Sequence, residues 1–154
     1  MAYKKCLEEG GLVKIEPSRH IAEKEIKEAK YDFEKSTESI DKEDFKWTEI
    51  KAYYCCFHAL RALLFLIGLR EKGHYFTFIA LKEVLGKFFS KEDIEKYSNQ
   101  LKRRELADYY SAYSKEEAHA SIEFAEDFLF KAEKLLNSLK NKNSEELKKL
   151  RDMT

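Results

Sequence analysis

The chain has 154 residues and a composition typical of a helical protein, with one proline, five glycines and 38% charged side chains. This length corresponds to one domain that can bury a hydrophobic core without disulfides or structural metals. The 29 basic and 29 acidic residues cancel, which excludes a global field that would attract nucleic acid or anionic lipid. Any such contact must come from a local patch.

The N-terminal part predicts an arm followed by a long amphipathic helix. Residues 1–16 show little periodicity and are expected to form a short helical turn or a loosely held arm. Ser18, directly after Pro17, is a helix start signal. Beyond it, apolar side chains recur every three or four residues as far as Ile40, which predicts a first helix over residues 18–41.

The apolar stretch from Ala52 to Leu69 predicts a second, central helix over about residues 44–70. Its length approaches that of a membrane span, but His58 and Arg61 would lie at the bilayer centre, where an arginine costs about 2.5–3.5 kcal/mol. We therefore interpret it as the core helix of a bundle and expect no membrane contact. Its two basic residues are three positions apart and share one polar edge.

Three further helices are predicted over residues 75–85, from Ser90 to the segment 111–114, and from Ser114 to about residue 140. The second and third begin at capping boxes, in which an acidic residue follows a serine three positions later. The expected fold is all-α, an up-and-down bundle of four to five helices. The bundle occupies residues 17–141, the arm is 1–16, and a C-terminal tail at 142–154 is expected to fray or project.

Cysteines and N-terminal residues bear on the compartment. Of three cysteines, Cys55 and Cys56 are neighbours, and adjacent helical residues point about 100° apart, which favours core packing over a disulfide or metal pair. The N-terminal residues contain neither an apolar signal region nor an Arg-rich presequence. A reduced, cytoplasmic location is expected.

Two Glu-x-x-His sequences make a di-iron site one alternative, because di-iron bundles use this spacing on two helices. The pairs are Glu71 with His74 and Glu116 with His119. Two further helices would each have to supply an inward Glu, for which Glu49 or Glu28 is available. Since glutamate is common in this chain, chance pairs are expected, and we predict no metal and no other cofactor. Phosphate-loop, nucleophile-elbow and CxxC signatures are absent.

The remaining polar groups have two interpretations each. His58 and Arg61 are either a buried pair satisfied by neighbouring helices or a second subunit, which we favour, or the lining of a cleft that binds phosphate. The segment 70–75 is either a solvated turn or a site where cations and a tyrosine hold a phosphate or an RNA base. The run 102–104 fits cations at a helix C-terminus.

At these residues the sequence resembles the HEPN superfamily (higher eukaryotes and prokaryotes nucleotide-binding domain), in particular its small stand-alone prokaryotic members. The matching pieces are Lys14-Ile15-Glu16-Pro17-Ser18, Ala52-Tyr53-Tyr54, Phe57-His58-Ala59, Arg61-Ala62-Leu63-Leu64, Arg70-Glu71-Lys72-Gly73-His74-Tyr75 and Ala107-Asp108-Tyr109. The resemblance extends over about residues 12–135.

This resemblance implies a helical bundle that pairs as a homodimer. Related proteins are often encoded beside a minimal nucleotidyltransferase, as half of a toxin–antitoxin-like module. Many are metal-independent RNases. Their site consists of an Arg followed, after four to six residues, by a His, and the dimer brings the two copies of this site together. In such sites His moves protons and Arg stabilises charge on the phosphate.

This chain differs from the nuclease pattern. Arg70 and His74 have only three residues between them and precede the third helix. Arg104 stands where the nuclease motif is expected, but no His follows it, and Asp108 is not a proton shuttle near neutral pH.

The first expectation is therefore a HEPN-like module that binds a nucleotide or RNA phosphate and a nucleotidyltransferase partner, as a homodimer. The expected ligand-binding residues are Arg70, Lys72, His74, Tyr75, Arg104, Asp108 and Tyr109, with His58 and Arg61 beneath them. An RNase toxin with His74, Arg70 and Arg104 as catalytic candidates is one alternative, and a structural interaction module without ligand is another. Relatives also suggest that a nearby tyrosine is a target of nucleotide transfer by the partner.

Overall fold

A computed structural model describes residues 2–152, which form seven α-helices and one two-stranded sheet. The elements are α1 (Ala2–Glu9), β1 (Leu12–Lys14), α2 (Arg19–Asp41), α3 (Phe45–Ile67), β2 (Leu69–Glu71), α4 (His74–Glu83), a 3-10 turn (Gly86–Phe88), α5 (Lys91–Tyr109), α6 (Lys115–Leu139) and α7 (Ser144–Asp152). Four long helices, α2, α3, α5 and α6, make up most of the domain. The prediction of an all-α bundle is confirmed.

Three of the four long helices begin at the predicted caps. The hydroxyls of Ser18, Ser90 and Ser114 each accept a hydrogen bond from the amide three residues later, at 3.1, 3.0 and 3.1 Å. These bonds satisfy amides of the first turn that have no partner within the helix. Helix α3 ends at Gly68, whose φ of 85° is left-handed. A Cβ there would lie 2.4 Å from the carbonyl oxygen of Ile15, so only glycine fits this position.

Helix α3 is the core of the bundle and packs against α2, α5 and α6. By length and composition it could cross a membrane, but 78% of its most apolar window is buried by the rest of the protein. Leu60, Leu63, Leu64 and Leu66 are all fully buried, and burial of such a side chain contributes about 1.5–3 kcal/mol. This burial is that of the central helix of a bundle.

A short antiparallel sheet, absent from our prediction, joins the N-terminal segment to the end of α3. Its pairs are Leu12 with Glu71, Val13 with Arg70 and Lys14 with Leu69. Beyond the strands, the Ile15 amide donates to the Gly68 carbonyl and the Lys72 amide to the Gly11 carbonyl, both at 2.9 Å. The helix predicted over about residues 44–70 corresponds to α3, and the chain turns into β2 directly after Gly68. Three-residue strands show no periodicity that a sequence could reveal.

Both ends of the described chain pack on the core. Of the two alternatives expected for residues 1–16, a short helical turn and a loosely held arm, the helix is the one present, as α1. It buries Tyr3 and Cys6, and the Tyr3 hydroxyl donates to the Arg151 carbonyl at 2.9 Å. The predicted projecting tail is wrong for residues up to Asp152, because α7 buries Leu147. A helix this short offers too few apolar positions for its inner face to be recognised.

Candidate functional site

A shallow cleft lies beside the N-terminus of α4 and the end of β2. It has a volume of about 500 Å³ and is lined by Phe57, Arg70, Glu71, Lys72, Gly73 and His74. The sheet and the turn at Gly73 bring these residues together, since they reverse the chain between α3 and α4. No side chain caps the first turn of α4, so its partial positive charge is available beside the cleft.

His74, the first residue of α4, forms one wall of this cleft. Its ring stacks on that of Phe57 with centroids 4.4 Å apart, and its Nδ1 lies 2.5 Å from the Tyr53 hydroxyl oxygen. Burial, followed by the positive charges of Arg104 and Arg61, lowers the pKa of His74 below its ordinary value of 6.5. The imidazole is therefore neutral at pH 7.

Arg104 on α5 is a buried guanidinium that forms no ion pair with the described residues. It is 7% exposed, and its Nε has no hydrogen-bond partner. The guanidinium carbon lies 5.3 Å from the ring centre of Tyr53 and 5.8 Å from that of Tyr109, and Nη1 donates weakly to the Tyr109 hydroxyl at 3.5 Å. Aromatic rings partly stabilise a cation, but they leave its charge uncompensated.

Tyr53 connects His74 and Arg104. Its ring centre lies 5.6 Å from the His74 ring and 5.3 Å from the Arg104 guanidinium carbon. One residue from each predicted segment, His74 and Arg104, therefore lies next to the same buried tyrosine. Our sequence interpretation did not include Tyr53 in the site. A signal was present, because Tyr53, Phe57 and Arg61 recur every four residues and share one face of α3.

The two basic residues of α3 are paired with acidic side chains. The Glu25 carboxylate from α2 lies 2.6 Å from His58 Nδ1 and accepts a hydrogen bond from Arg61 Nη1 at 3.1 Å. Arg61 Nε also donates to Glu71 at 2.8 Å, and Asp32 lies 3.7 Å from His58 Nε2. The arrangement is that of a half-buried pair satisfied by neighbouring elements, so neither residue offers a free charge to a ligand.

The other predicted residues lie at the rim or outside it. Arg70 and Lys72 are exposed and line the cleft. Tyr109 covers Arg104 on one side and is itself 69% exposed. Asp108 is half-buried and makes no hydrogen bond or ion pair with another described residue. Tyr75 is 59% exposed and packs beside other aromatic rings of α4, away from the cleft lining.

The Glu-x-x-His sequences do not converge on a metal site. Within residues 2–152, no group of three or more His, Cys, Asp or Glu side chains is arranged to hold a metal ion. Glu71 forms an ion pair with Arg61, whereas Glu116 and His119 are exposed on α6. Glu28 is exposed on α2, and Glu49 is fully buried on α3.

Comparison with known proteins identifies a family. The sequence model of the HEPN domain matches residues 22–142, which include most of α2, all of α3 to α6 and every residue of the cleft. Among curated proteins, no significant match to the chain was found.

Proposed function

Because the chain belongs to the HEPN domain family, we propose that it binds a nucleotide or an RNA phosphate at the cleft beside Tyr53. Arg104 is the observation that carries this proposal. A buried cation without a counter-ion is unfavourable, and an anion that binds beside it supplies the missing charge. Its field already acts at the cleft, where, after burial, it is the next largest cause of the lowered pKa of His74.

The cleft lining suits a phosphate. Arg70 and Lys72 place two exposed cations at the rim, and the uncapped N-terminus of α4 offers backbone amides. Glu71 is the one acidic residue of the lining, and its charge is balanced by Arg61. Cations and a helix N-terminus are the common elements of phosphate sites in proteins.

Binding of labelled single-stranded RNA and of ATP tests this proposal. The wild type is expected to bind at low salt, with an affinity that falls as salt rises, because phosphate contacts release counterions. His74→Gln is expected to weaken binding about 5- to 10-fold through loss of a hydrogen bond to the phosphate. His119→Gln, on the exposed face of α6, is the matched control. A wild type that binds neither ligand at low salt would leave the structural interaction module as the explanation.

RNA cleavage is the second candidate function, since His74 and Arg104 both lie next to Tyr53. In that reaction the imidazole would move a proton and the guanidinium would stabilise charge on the phosphate. The same labelled RNA distinguishes the two functions. Cleavage by the wild type that disappears in His74→Gln would favour the enzyme, and binding without cleavage would favour the binding module.

The partners are part of the proposal: a second copy of the chain and a minimal nucleotidyltransferase, in the cytoplasm. Family membership supports both partners. Tyr109, Tyr110 and Tyr113, at and just after the end of α5, are 69%, 74% and 46% exposed, and exposed aromatic patches are typical of interaction surfaces. All three cysteines are free, as in a reducing compartment. Sedimentation of the purified chain over a range of concentrations tests the dimer.

A further inference from the structure

We infer that Tyr53 is a positioning residue: it holds His74 in the tautomer whose hydrogen is on Nε2, so the cleft offers its ligand a neutral N–H donor. This inference rests on the proposed function only for the ligand. The tautomer itself is a property of the free protein and can be measured without any ligand.

The direction of the hydrogen bond between Tyr53 and His74 follows from burial. The Tyr53 side chain is fully buried, and burial raises the pKa of Tyr53 well above its ordinary value of 10.0, so the phenol keeps its hydrogen. Nδ1 of His74 lies 2.5 Å from that hydroxyl oxygen. The Tyr97 hydroxyl also hydrogen-bonds to Tyr53, but this bond lowers the pKa of Tyr53, as expected when Tyr97 is the donor. Donation elsewhere would leave a buried hydroxyl hydrogen unsatisfied, at a cost of about 1–3 kcal/mol.

The hydroxyls of Thr77 and Tyr97 form further hydrogen bonds beside His74. Thr77 donates to the carbonyl oxygen of His74 at 2.7 Å. The Tyr97 hydroxyl lies 2.7 Å from the Thr77 hydroxyl, and either oxygen can be the donor of this bond. This chain of bonds fixes the backbone of His74 while Tyr53 fixes its ring.

Turning the other edge of the imidazole inward would place a C–H group against the Tyr53 hydroxyl and lose the hydrogen bond to Nδ1. The imidazole is stacked on Phe57 with an interplanar angle of 21°, and the Tyr54 ring meets it edge-on at 5.9 Å. Arg61 and His58 on α3 and Arg104 and Glu105 on α5 are the charged or titratable groups that act on this ring. With Nδ1 accepting from Tyr53, a neutral imidazole carries its one hydrogen on Nε2.

This tautomer determines what His74 can do. Nε2–H donates to an oxygen of a bound phosphate, as a hydrogen-bond donor that carries no charge of its own. A ring that already carries hydrogen on Nε2 and receives one at Nδ1 has no free lone pair to take a proton from a ribose hydroxyl. The cleft therefore binds acceptor-rich anions and lacks a general base at this position.

Long-range ¹⁵N–¹H NMR spectra of the free protein distinguish the two neutral tautomers, and His74→Gln identifies the signal. We expect the Nε2–H pattern in the wild type. In Tyr53→Phe, which keeps the ring and removes the donor, we expect a mixture of tautomers, a rise in the pKa of His74 and about 3- to 10-fold weaker RNA binding. Tyr54→Phe, whose ring also touches His74 but whose hydroxyl bonds to no described side chain, should change none of these.

The outcomes separate the two proposals. A wild-type His74 with its hydrogen on Nδ1 overturns the inference even if RNA binds. A change of tautomer in Tyr53→Phe with no change in affinity overturns the positioning role. If the wild type shows the Nε2–H tautomer but binds neither RNA nor ATP, the proposed function fails and the assignment of the tautomer stands.

Discussion

Arg104→Met is expected to remove most of the phosphate binding while leaving the fold at least as stable as the wild type. The binding loss follows from the position of the guanidinium, which is buried, unpaired and next to His74 through Tyr53. Truncation of a buried charge that meets an opposite charge typically costs about 2–5 kcal/mol. We therefore expect the affinity for single-stranded RNA to fall at least about 30-fold.

Most core mutations lower the free energy of unfolding, whereas Arg104→Met is expected to raise it. Arg104 Nε is buried without a partner, and replacement of buried charges by apolar side chains of similar volume is neutral or stabilising by about 1–4 kcal/mol. Loss of the contacts with the rings of Tyr53 and Tyr109 offsets part of this gain. A net increase in the free energy of unfolding of about 1 kcal/mol is expected in urea titrations.

Arg103→Met is the matched control for Arg104→Met. Arg103 is the preceding residue on α5, is 40% exposed, and is paired with Glu117. Its replacement should lower the RNA affinity no more than about 3-fold, because an exposed cation contributes little beyond general attraction. If Arg104→Met instead destabilised the fold by several kcal/mol and left RNA binding intact, Arg104 would be a structural residue.

Glu49→Gln is expected to stabilise the protein at pH 8 and to change its stability little at pH 5. Glu49 is fully buried, and neither carboxylate oxygen has a hydrogen-bond partner. Burial, with a smaller contribution from Glu117, raises the pKa of Glu49 from 4.5 to about 7, against the effects of Arg103 and the Ser114 backbone. The folded protein therefore keeps a proton that the unfolded chain releases at lower pH.

The direction in which stability changes with pH follows from the number of protons bound by the folded and unfolded states. Between pH 4.5 and about 7 the folded state binds the extra proton, so wild-type stability falls as pH rises through this window and stays lower above it. Glutamine has no proton to lose and keeps the shape of the side chain. We expect Glu49→Gln to raise the free energy of unfolding by about 1–3 kcal/mol at pH 8.

Urea titrations at the two pH values measure this difference. The control is Glu116→Gln, because Glu116 is exposed on α6 and its replacement should have a small effect that is the same at pH 5 and pH 8. A Glu49→Gln variant whose stability differs from the wild type equally at both pH values would show that Glu49 is ionised in the folded state throughout.

Local signals were sufficient to predict the long helices. Ser18, Ser90 and Ser114 act on amides only three residues away, so the sequence near each cap contains the whole interaction. The sheet could not be predicted in the same way, because Val13 and Arg70 pair across a long separation along the chain. The docking of α1 and the formation of α7 were not predicted, because each depends on contacts with residues far away in sequence.

Only part of the candidate site could be predicted, for a similar reason. Residue type and local spacing drew attention to His74 and Arg104, but nothing in the sequence places them next to Tyr53. The interpretation of Arg61 remained open because its partner Glu25 lies on another helix. Tyr53 has the pattern of a core aromatic residue, and the hydrogen bond that gives it a role is visible only in the structure.

The strand that carries Arg70 has consequences for the choice of expression boundaries. The family match spans residues 22–142, whereas strand β1, the Gly11 carbonyl and the Ile15 amide all precede it. Arg151, whose guanidinium donates to the Gly68 carbonyl, follows it. A fragment trimmed to the matched segment would retain every side chain of the cleft but would lose the backbone contacts that hold one of its walls. A fragment of this protein limited to residues 22–142 is therefore a poor substitute for the full chain in binding assays.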